Sequence, residues 1–361
     1  IVSRQFPEGD QFLYIHSGGD RLQVEFIDPH EPEPESAQVP ESSAAEDIAS
    51  DTDGTPDLAN IALAARGTPQ EVQALKKAHA ERLAFLESDT WQQAKDLALS
   101  MISVADFWSS PERFTILGEV EYRDRVENGL KTAGTLLGKI EPDPTRRRDH
   151  YSRRMVGQVA ERILLVDRAC QAISEHEPWE AFLALDIRTD STVAGTQDLM
   201  FLNRLKNMYL NWAGKRKMQI KVLQDAVPGP ESSRPILLAI SGFAASSILK
   251  SEAGLHIWEA PSSRDNKSFD RHQVLVRVAP QPEEISGEPG ADLLPAGLQM
   301  LDARLSGAPA IVRHYREEPD TMVKDRVNRW RTGRLDRVLE GNFDLLGMKT
   351  DGDQKTKSGT A

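Results

Sequence analysis

Apolar residues recur at helical spacing from residue 72 onward, with Val72, Leu75, Leu83 and Leu86 as the first series. Thr68-Pro-Gln-Glu71 stands ahead of them as a capping box with Pro at the first helical position. The same spacing predicts helices over about Trp91 to Val104, after Ser110-Pro-Glu112, and over about Asp149 to Glu175. Four charged helices with apolar stripes predict a helical bundle with coiled-coil character over residues 65–180.

The period changes after residue 180. Leu183-Ala-Leu-Asp-Ile187, Pro235-Ile-Leu-Leu-Ala-Ile240 and Gln273-Val-Leu-Val-Arg-Val278 read as strands, and Ala194 to Lys217 as one long amphipathic helix. This pattern predicts one helix over a mostly antiparallel sheet in residues 181–282. Helical signals return from Ala296, with a final helix near Gly333 to Leu339. The fold class expected is therefore α+β: an N-terminal helical bundle or coiled coil, a helix-on-antiparallel-sheet domain, and a C-terminal helical segment spanning 283–346 before a disordered tail at 347–361. At the other end, Gln11-Phe-Leu-Tyr-Ile15 and Leu22-Gln-Val-Glu-Phe26 read as a strand pair around the turn His16-Ser-Gly-Gly-Asp20.

Charge sharpens this division. The net charge of −12 argues against a nucleic-acid partner on its own. Yet no Lys or Arg occurs between Arg21 and Arg66, and ten acids lie from Asp28 to Asp57. Residues 28–64 are read as a disordered acidic linker. Outside it the balance is near neutral and two basic clusters stand out: Arg146, Arg147, Arg148, Arg153 and Arg154, and a second from Arg313 to Arg337. Such clusters suit a phosphate backbone. The competing reading is internal ion pairing with acids such as Asp325 and Asp336.

Other chemistry is thinly represented. Cys170 is the single cysteine and sits in an amphipathic helical pattern, which fits a buried structural thiol and a reducing cytoplasm. No Walker-type phosphate loop, Cys/His metal spacing or Gly-x-Ser-x-Gly is present, and no cofactor is expected. No apolar run reaches the roughly 18 residues a membrane span needs. The opening Ile1-Val-Ser-Arg4 has neither an initiator Met nor the build of a signal peptide, so the chain is read as part of something longer.

Several blocks resemble one family. Asp106-Phe-Trp108, Met208-Tyr-Leu-Asn-Trp-Ala213, Ser251-Glu-Ala-Gly-Leu-His256, Met322-Val-Lys-Asp325 and Val338-Leu-Glu-Gly341 occur in the order found in bacterial class I peptide-chain release factors of the UGA/UAA-reading branch. Trp108, Tyr209, Trp212 and His256 are themselves read as structural residues of the fold. The resemblance implies a translation-termination-related, ribosome- or structured-RNA-binding protein in the cytoplasm. It covers roughly residues 105–346.

The chain departs from that family at its chemistry. The family's hydrolytic Gly-Gly-Gln is missing; the one Gly-Gly pair, Gly18-Gly19, is followed by Asp20. The interval Pro280 to Pro295, where the resemblance places the catalytic domain, is too short to hold a core. The stop-codon-reading Ser-Pro-Phe is also lost: in Glu259-Ala-Pro-Ser-Ser-Arg-Asp-Asn266, Ser262 or Ser263 holds the Ser position without the Pro-Phe pair. No catalytic residue is therefore expected. The expected RNA- or ribosome-binding residues are Arg146, Arg147, Arg148, Arg153, Arg154, Arg264, Lys267, Lys324, Arg326, Arg329, Arg331 and Arg334. Residues 1–27 resemble a second family: Glu8-Gly-Asp10 and Gly19-Asp-Arg-Leu22 are similar to the closing strands of Clp/Hsp100 AAA+ ATPases. That resemblance implies a Clp-type module in the same polypeptide, and a function in bringing an unfoldase to ribosomes.

Overall fold

The computed structural model describes residues 12–18, 21–27, 57–140, 150–189, 195–226, 234–262, 269–281, 293–303 and 309–347. The two N-terminal strands are β1 (Phe12–Gly18) and β2 (Arg21–Ile27), paired antiparallel with Ile15 opposite Val24. The expected strand pair is thus present, and strand structure extends through His16, Ser17 and Gly18, which the sequence placed in the turn.

The helical unit comprises α1 (Leu58–Ala64), α2 (Pro69–Leu86), α3 (Asp89–Ile102), α4 (Arg113–Gly138) and α5 (Arg153–Ser174). The capping box forms as read: the Thr68 hydroxyl accepts from Glu71 N, and the Glu71 carboxylate accepts from the backbone of Arg66, Gly67 and Thr68. Val72, Leu75 and Leu86 are buried, whereas Leu83 is exposed. The expected linker must be shortened at its C-terminal end. Leu58–Ala64 is helical and buries Ala59 and Ile61, with Ile61 in one cluster with Val156, Val159 and Ala160 of α5. Six apolar residues among seven suffice to dock these roughly two helical turns there, acidic flank notwithstanding. Residues 28–56 lie outside the described residues.

The α+β unit is an eight-stranded sheet in the order β10-β9-β8-β6-β7-β3-β5-β4. Its strands are β3 (Ala181–Arg188), β4 (Gln219–Gln224), β5 (Ile236–Ser241), β6 (Gly254–Pro261), β7 (Phe269–Pro280), β8 (Ile311–Arg316), β9 (Met322–Asp325) and β10 (Arg331–Thr332). All pairings are antiparallel except β6 with β8. The long helix α6 (Thr196–Lys215) covers one face, where Phe201, Leu205, Tyr209 and Trp212 are buried with Leu183, Leu238, Val276 and Tyr315. On the other face, α8 (Leu293–Asp302) covers Phe182, Ala184 and Leu237; a short α7 (Ala245–Lys250) precedes β6.

The α+β class and the order of bundle, helix-on-sheet domain and helical C-terminus hold. Beyond α8, however, helix is interrupted by β8, β9 and β10 before it resumes in α9 (Leu335–Arg337), a π-turn (Val338–Asn342) and α10 (Phe343–Gly347). β9 and β10 are too short to carry a clear period of two, and the ladder that runs from β6 through β8 defines this edge instead. Trp108 also departs from its reading as a core aromatic. It is 66% exposed while its neighbour Phe107 is buried.

The two units are joined by specific contacts. Tyr122 of α4 stacks on Trp179 at 4.4 Å, and its hydroxyl accepts from Ala244 N at 2.9 Å. Arg216, at the end of α6, bridges Glu161 of α5 (2.8 Å) and Asp344 of α10 (2.7 Å). Arg337 donates to the Leu63 carbonyl at the end of α1.

Candidate nucleic-acid interface

The motif residues of the sequence converge on one buried polar network. Arg313 of β8 donates to both oxygens of Glu252 (2.6 and 3.0 Å) and, through Nε and Nη2, to Oδ2 of Asp325 (3.0 and 2.7 Å). Tyr209 of α6 donates its hydroxyl to Glu252 at 3.1 Å. His256 closes the set: Nε2 lies 3.0 Å from the Glu252 carbonyl and Nδ1 3.0 Å from the Tyr315 hydroxyl. A carbonyl only accepts, so Nε2 carries a proton and donates to Glu252; in a ring kept neutral by burial and by the Arg313 charge, Nδ1 then accepts from Tyr315.

Electrostatics agree with that assignment. Burial, reinforced by the Arg313 charge, pushes His256 down to about 3. Burial also raises the Glu252 carboxyl, with Arg313 pulling the other way. Burial opposes the charge on Arg313, but its carboxylate partners outweigh this and hold the guanidinium charged. Every member is fully or nearly fully buried. These residues hold the fold together and offer no surface to a substrate. Cys170 is likewise buried, and desolvation pushes its thiol up to about 12, which leaves it an inert packing residue.

Two motif glycines have structural causes. Gly254 (φ +144°) starts β6, where a Cβ would collide with the Ala310 carbonyl that accepts from Leu255 N. Gly341 (φ +89°) lies against α6, where a Cβ would overlap the backbone of Trp212.

The network fixes a surface behind it. Arg313 pairs with Asp325 and Tyr315 with Val323 on the α6 side, so the alternate residues project to the opposite face. There His314 is the Cα partner of Lys324, and Lys324 of Arg331, which makes a row across β8, β9 and β10. Lys324, Arg326, Arg329 and Arg331 are exposed and Arg334 is half-buried. Among the described residues no acidic side chain forms an ion pair with any of these five. Arg271 and Arg316 extend the positive face, with Glu259 between them as the Cα partner of both. His314 is held below its ordinary value first by burial and then by the nearby Arg326 charge.

The expected basic residues thus divide. Lys324, Arg326, Arg329, Arg331 and Arg334 come together on one sheet edge. Arg313, counted in the same run, turns inward and pairs with Asp325, which is the competing reading for that one residue. Arg153 and Arg154 lie elsewhere, exposed on the first turn of α5. Arg146, Arg147, Arg148, Arg264 and Lys267 fall outside the described residues. Among the described residues a cleft of about 240 Å³ lies between α6 and the end of β6. It is lined by Gln197, Met200, Arg204, Trp258, Pro261 and Glu317, and Arg204 lies 4.4 Å over the Trp258 ring and 3.0 Å from Glu317. Arg271 and His314 were not singled out from sequence. Only the strand register, which pairs them with Glu259 and Lys324, reveals them.

Among the described residues no helix is long and apolar enough to cross a membrane, and no group of His, Cys, Asp and Glu is arranged to hold a metal ion. No protein-family profile matches the chain. Among solved structures, the chain is similar to RF2 of Thermus thermophilus, at 16% identity and a TM-score of 0.40, over 76% of this chain and 99% of that one.

Proposed function

We propose that this chain is a non-catalytic, release-factor-like protein that binds ribosomal or other structured RNA in the cytoplasm and acts in connection with translation termination. The observation that carries the reading is the exposed set Lys324, Arg326, Arg329 and Arg331, left without acidic partners among the described residues on a chain of net charge −12. Unneutralised cations gathered on one edge of an acidic protein are the footprint of a polyanionic ligand. The ordered motif blocks at 106–108, 208–213, 251–256, 322–325 and 338–341 support the release-factor relation. The missing Gly-Gly-Gln supports the absence of hydrolysis.

The test is co-sedimentation of the chain with ribosomes across a salt series. Binding that weakens with salt, and that Arg326→Glu with Arg331→Glu abolishes, is the expected result. Absence of binding at low salt removes the reading. A codon-dependent peptidyl-tRNA hydrolysis assay tests the non-catalytic part, and release above background would overturn it.

A second reading joins the chain to a Clp-type AAA+ module that would carry an unfoldase to ribosomes or another partner. It rests on the antiparallel β1–β2 hairpin. An in-frame Walker-type phosphate loop upstream of Ile1 in the coding sequence would support it, and a start codon just upstream of Ile1 would end it.

A further inference from the structure

The turn joining β9 to β10 differs from an ordinary solvated loop in three ways. It is fixed at its base: Asp325 N donates to Trp330 O (2.9 Å), Asn328 N donates to Asp325 Oδ1 (2.6 Å), and Arg326 N donates to Val312 O on β8 (2.8 Å). Trp330 is buried with the Arg313 guanidinium 5.0 Å over its ring, so the turn hangs from the buried ionic network. Arg329 is held at φ +55°, a left-handed conformation that disfavours any residue with a Cβ and that glycine adopts freely. Fold stability alone gives no reason for arginine there. Val327, also at the tip, is exposed.

The chemistry of the surrounding face narrows the ligand. Lys324 and Arg331 are direct cross-strand partners, which places them about 5 Å apart on a rigid ladder. Arg326 and Arg329 continue the charge into the turn. Among the described residues of β8 to β10 the rings, Tyr315 and Trp330, are buried, and the exposed ring of the wider face, Phe269 on β7, lies under the Arg316 guanidinium at 5.7 Å, so the β8–β10 edge itself presents no ring for stacking of unpaired bases. Such a surface engages phosphates and sugars and not splayed bases, which is how double-helical RNA is recognised.

We infer that the Asp325–Trp330 turn is a preorganised contact for the phosphodiester backbone of duplex RNA, with Arg329 kept in a left-handed conformation so that its guanidinium meets a phosphate. This rests on the RNA-binding reading and names the form of RNA and the residue. The buried Asp325 carboxylate acts as the positioning group. The turn is ordered before binding, so little entropy is lost when the ligand docks.

The measurement is fluorescence anisotropy of the full chain with an RNA duplex of about 16 base pairs, one of its strands alone, and a DNA duplex of the same sequence, each over a salt series. The RNA duplex should bind tightest. Arg329→Gly should weaken duplex binding roughly fivefold and lower the magnitude of the salt slope by about 1. Its melting temperature should be unchanged or raised. Arg329→Asn, which tolerates the same backbone conformation, should lose binding equally. Wild-type affinity in both variants, equal affinity for the single strand, or equal affinity for DNA would overturn the inference; so would a lowered melting temperature, since Arg329 would then serve the fold. If those results appear while the chain still sediments with ribosomes, the inference fails and the broader function stands. If polyglutamate displaces RNA as well as duplex RNA does, the face is built for an acidic protein and both readings fall.

Discussion

Asp325 divides its two carboxylate oxygens between the interior and the surface: Oδ2 takes two N–H groups of Arg313, while Oδ1 accepts from the backbone of Asn328 in the β9–β10 turn. Removing the charge should therefore do two things at once. In Asp325→Asn, Arg313 keeps Glu252 but loses its second anion, at a cost of roughly 2–4 kcal/mol. Amide exchange at Asn328 should also speed up, because its acceptor weakens. Urea unfolding with hydrogen exchange reads both. A destabilised variant with an unchanged Asn328 amide would mean that the core and the turn are not coupled.

Gly341→Ala tests the packing of the C-terminal segment on α6. The new methyl would enter the Trp212 backbone and would force a non-glycine residue to φ +89°. Strain and overlap together should cost about 3 kcal/mol. Gly214→Ala, with nothing within 4 Å of the added carbon, is the matched control and should be nearly neutral or slightly stabilising. Equal effects would show that Gly341 is not held against α6.

Much of this architecture was legible in the sequence. The bundle helices announced themselves by period and by the Thr68 capping box, and the hydrophobic runs at 183–187 and 235–240 became central strands β3 and β5. The β8–β10 edge was not legible. Arg313, His314, Lys324 and Arg331 look alike along the chain, but alternation buries Arg313 and turns the others to the opposite face, where Lys324 and Arg331 are exposed, once β8 pairs with β6 and β9. Long-range pairing, which no local window contains, decides which arginine is structural and which is a surface charge. Trp108 failed for a similar reason: aromatic character argues for burial, yet burial goes to its neighbour Phe107.

Trp108 gives a prediction from that difference. With two-thirds of its surface in water, Trp108→Ser should change stability by less than about 0.5 kcal/mol. Phe107→Ser, at a buried site, should cost about 3 kcal/mol or more. Thermal unfolding of the pair decides it, and a large loss at Trp108 would place that ring in the core after all.

Tyr122 tests the joint between the two units. Its hydroxyl is the acceptor for the buried N–H of Ala244, itself in a left-handed conformation at φ +52°. Tyr122→Phe keeps the stack on Trp179 but leaves that N–H without its acceptor, which should cost about 1–3 kcal/mol. Because the bond crosses from α4 to the segment preceding α7, the bundle and the sheet should also begin to unfold as separate steps. Retention of one transition at unchanged midpoint would show that the stack on Trp179 and the Arg216 and Arg337 contacts hold the joint without that bond.

Stability should depend on pH through His256. Its folded value near 3 lies far below the roughly 6.5 of an unfolded histidine. Between those values the unfolded chain binds a proton that the folded chain refuses. Stability therefore rises with pH through this window and is lost as pH falls from about 6.5, at up to about 1.4 kcal/mol per unit. Glu252 acts in the opposite sense, because burial makes the folded chain retain its proton. The histidine contribution is therefore read as the difference between the wild type and a non-titrating variant, compared at pH of about 5.5 and about 6.5. Urea unfolding at those two values should show a loss of roughly 1 kcal/mol on acidification in the wild type and a smaller loss in His256→Gln. The amide side chain supplies a donor toward the Glu252 carbonyl without titrating, so a folded variant isolates protonation from packing. Equal slopes in the two proteins would mean that His256 is protonated inside the fold, and that the neutral imidazole between Tyr315 and the Glu252 carbonyl does not exist as drawn.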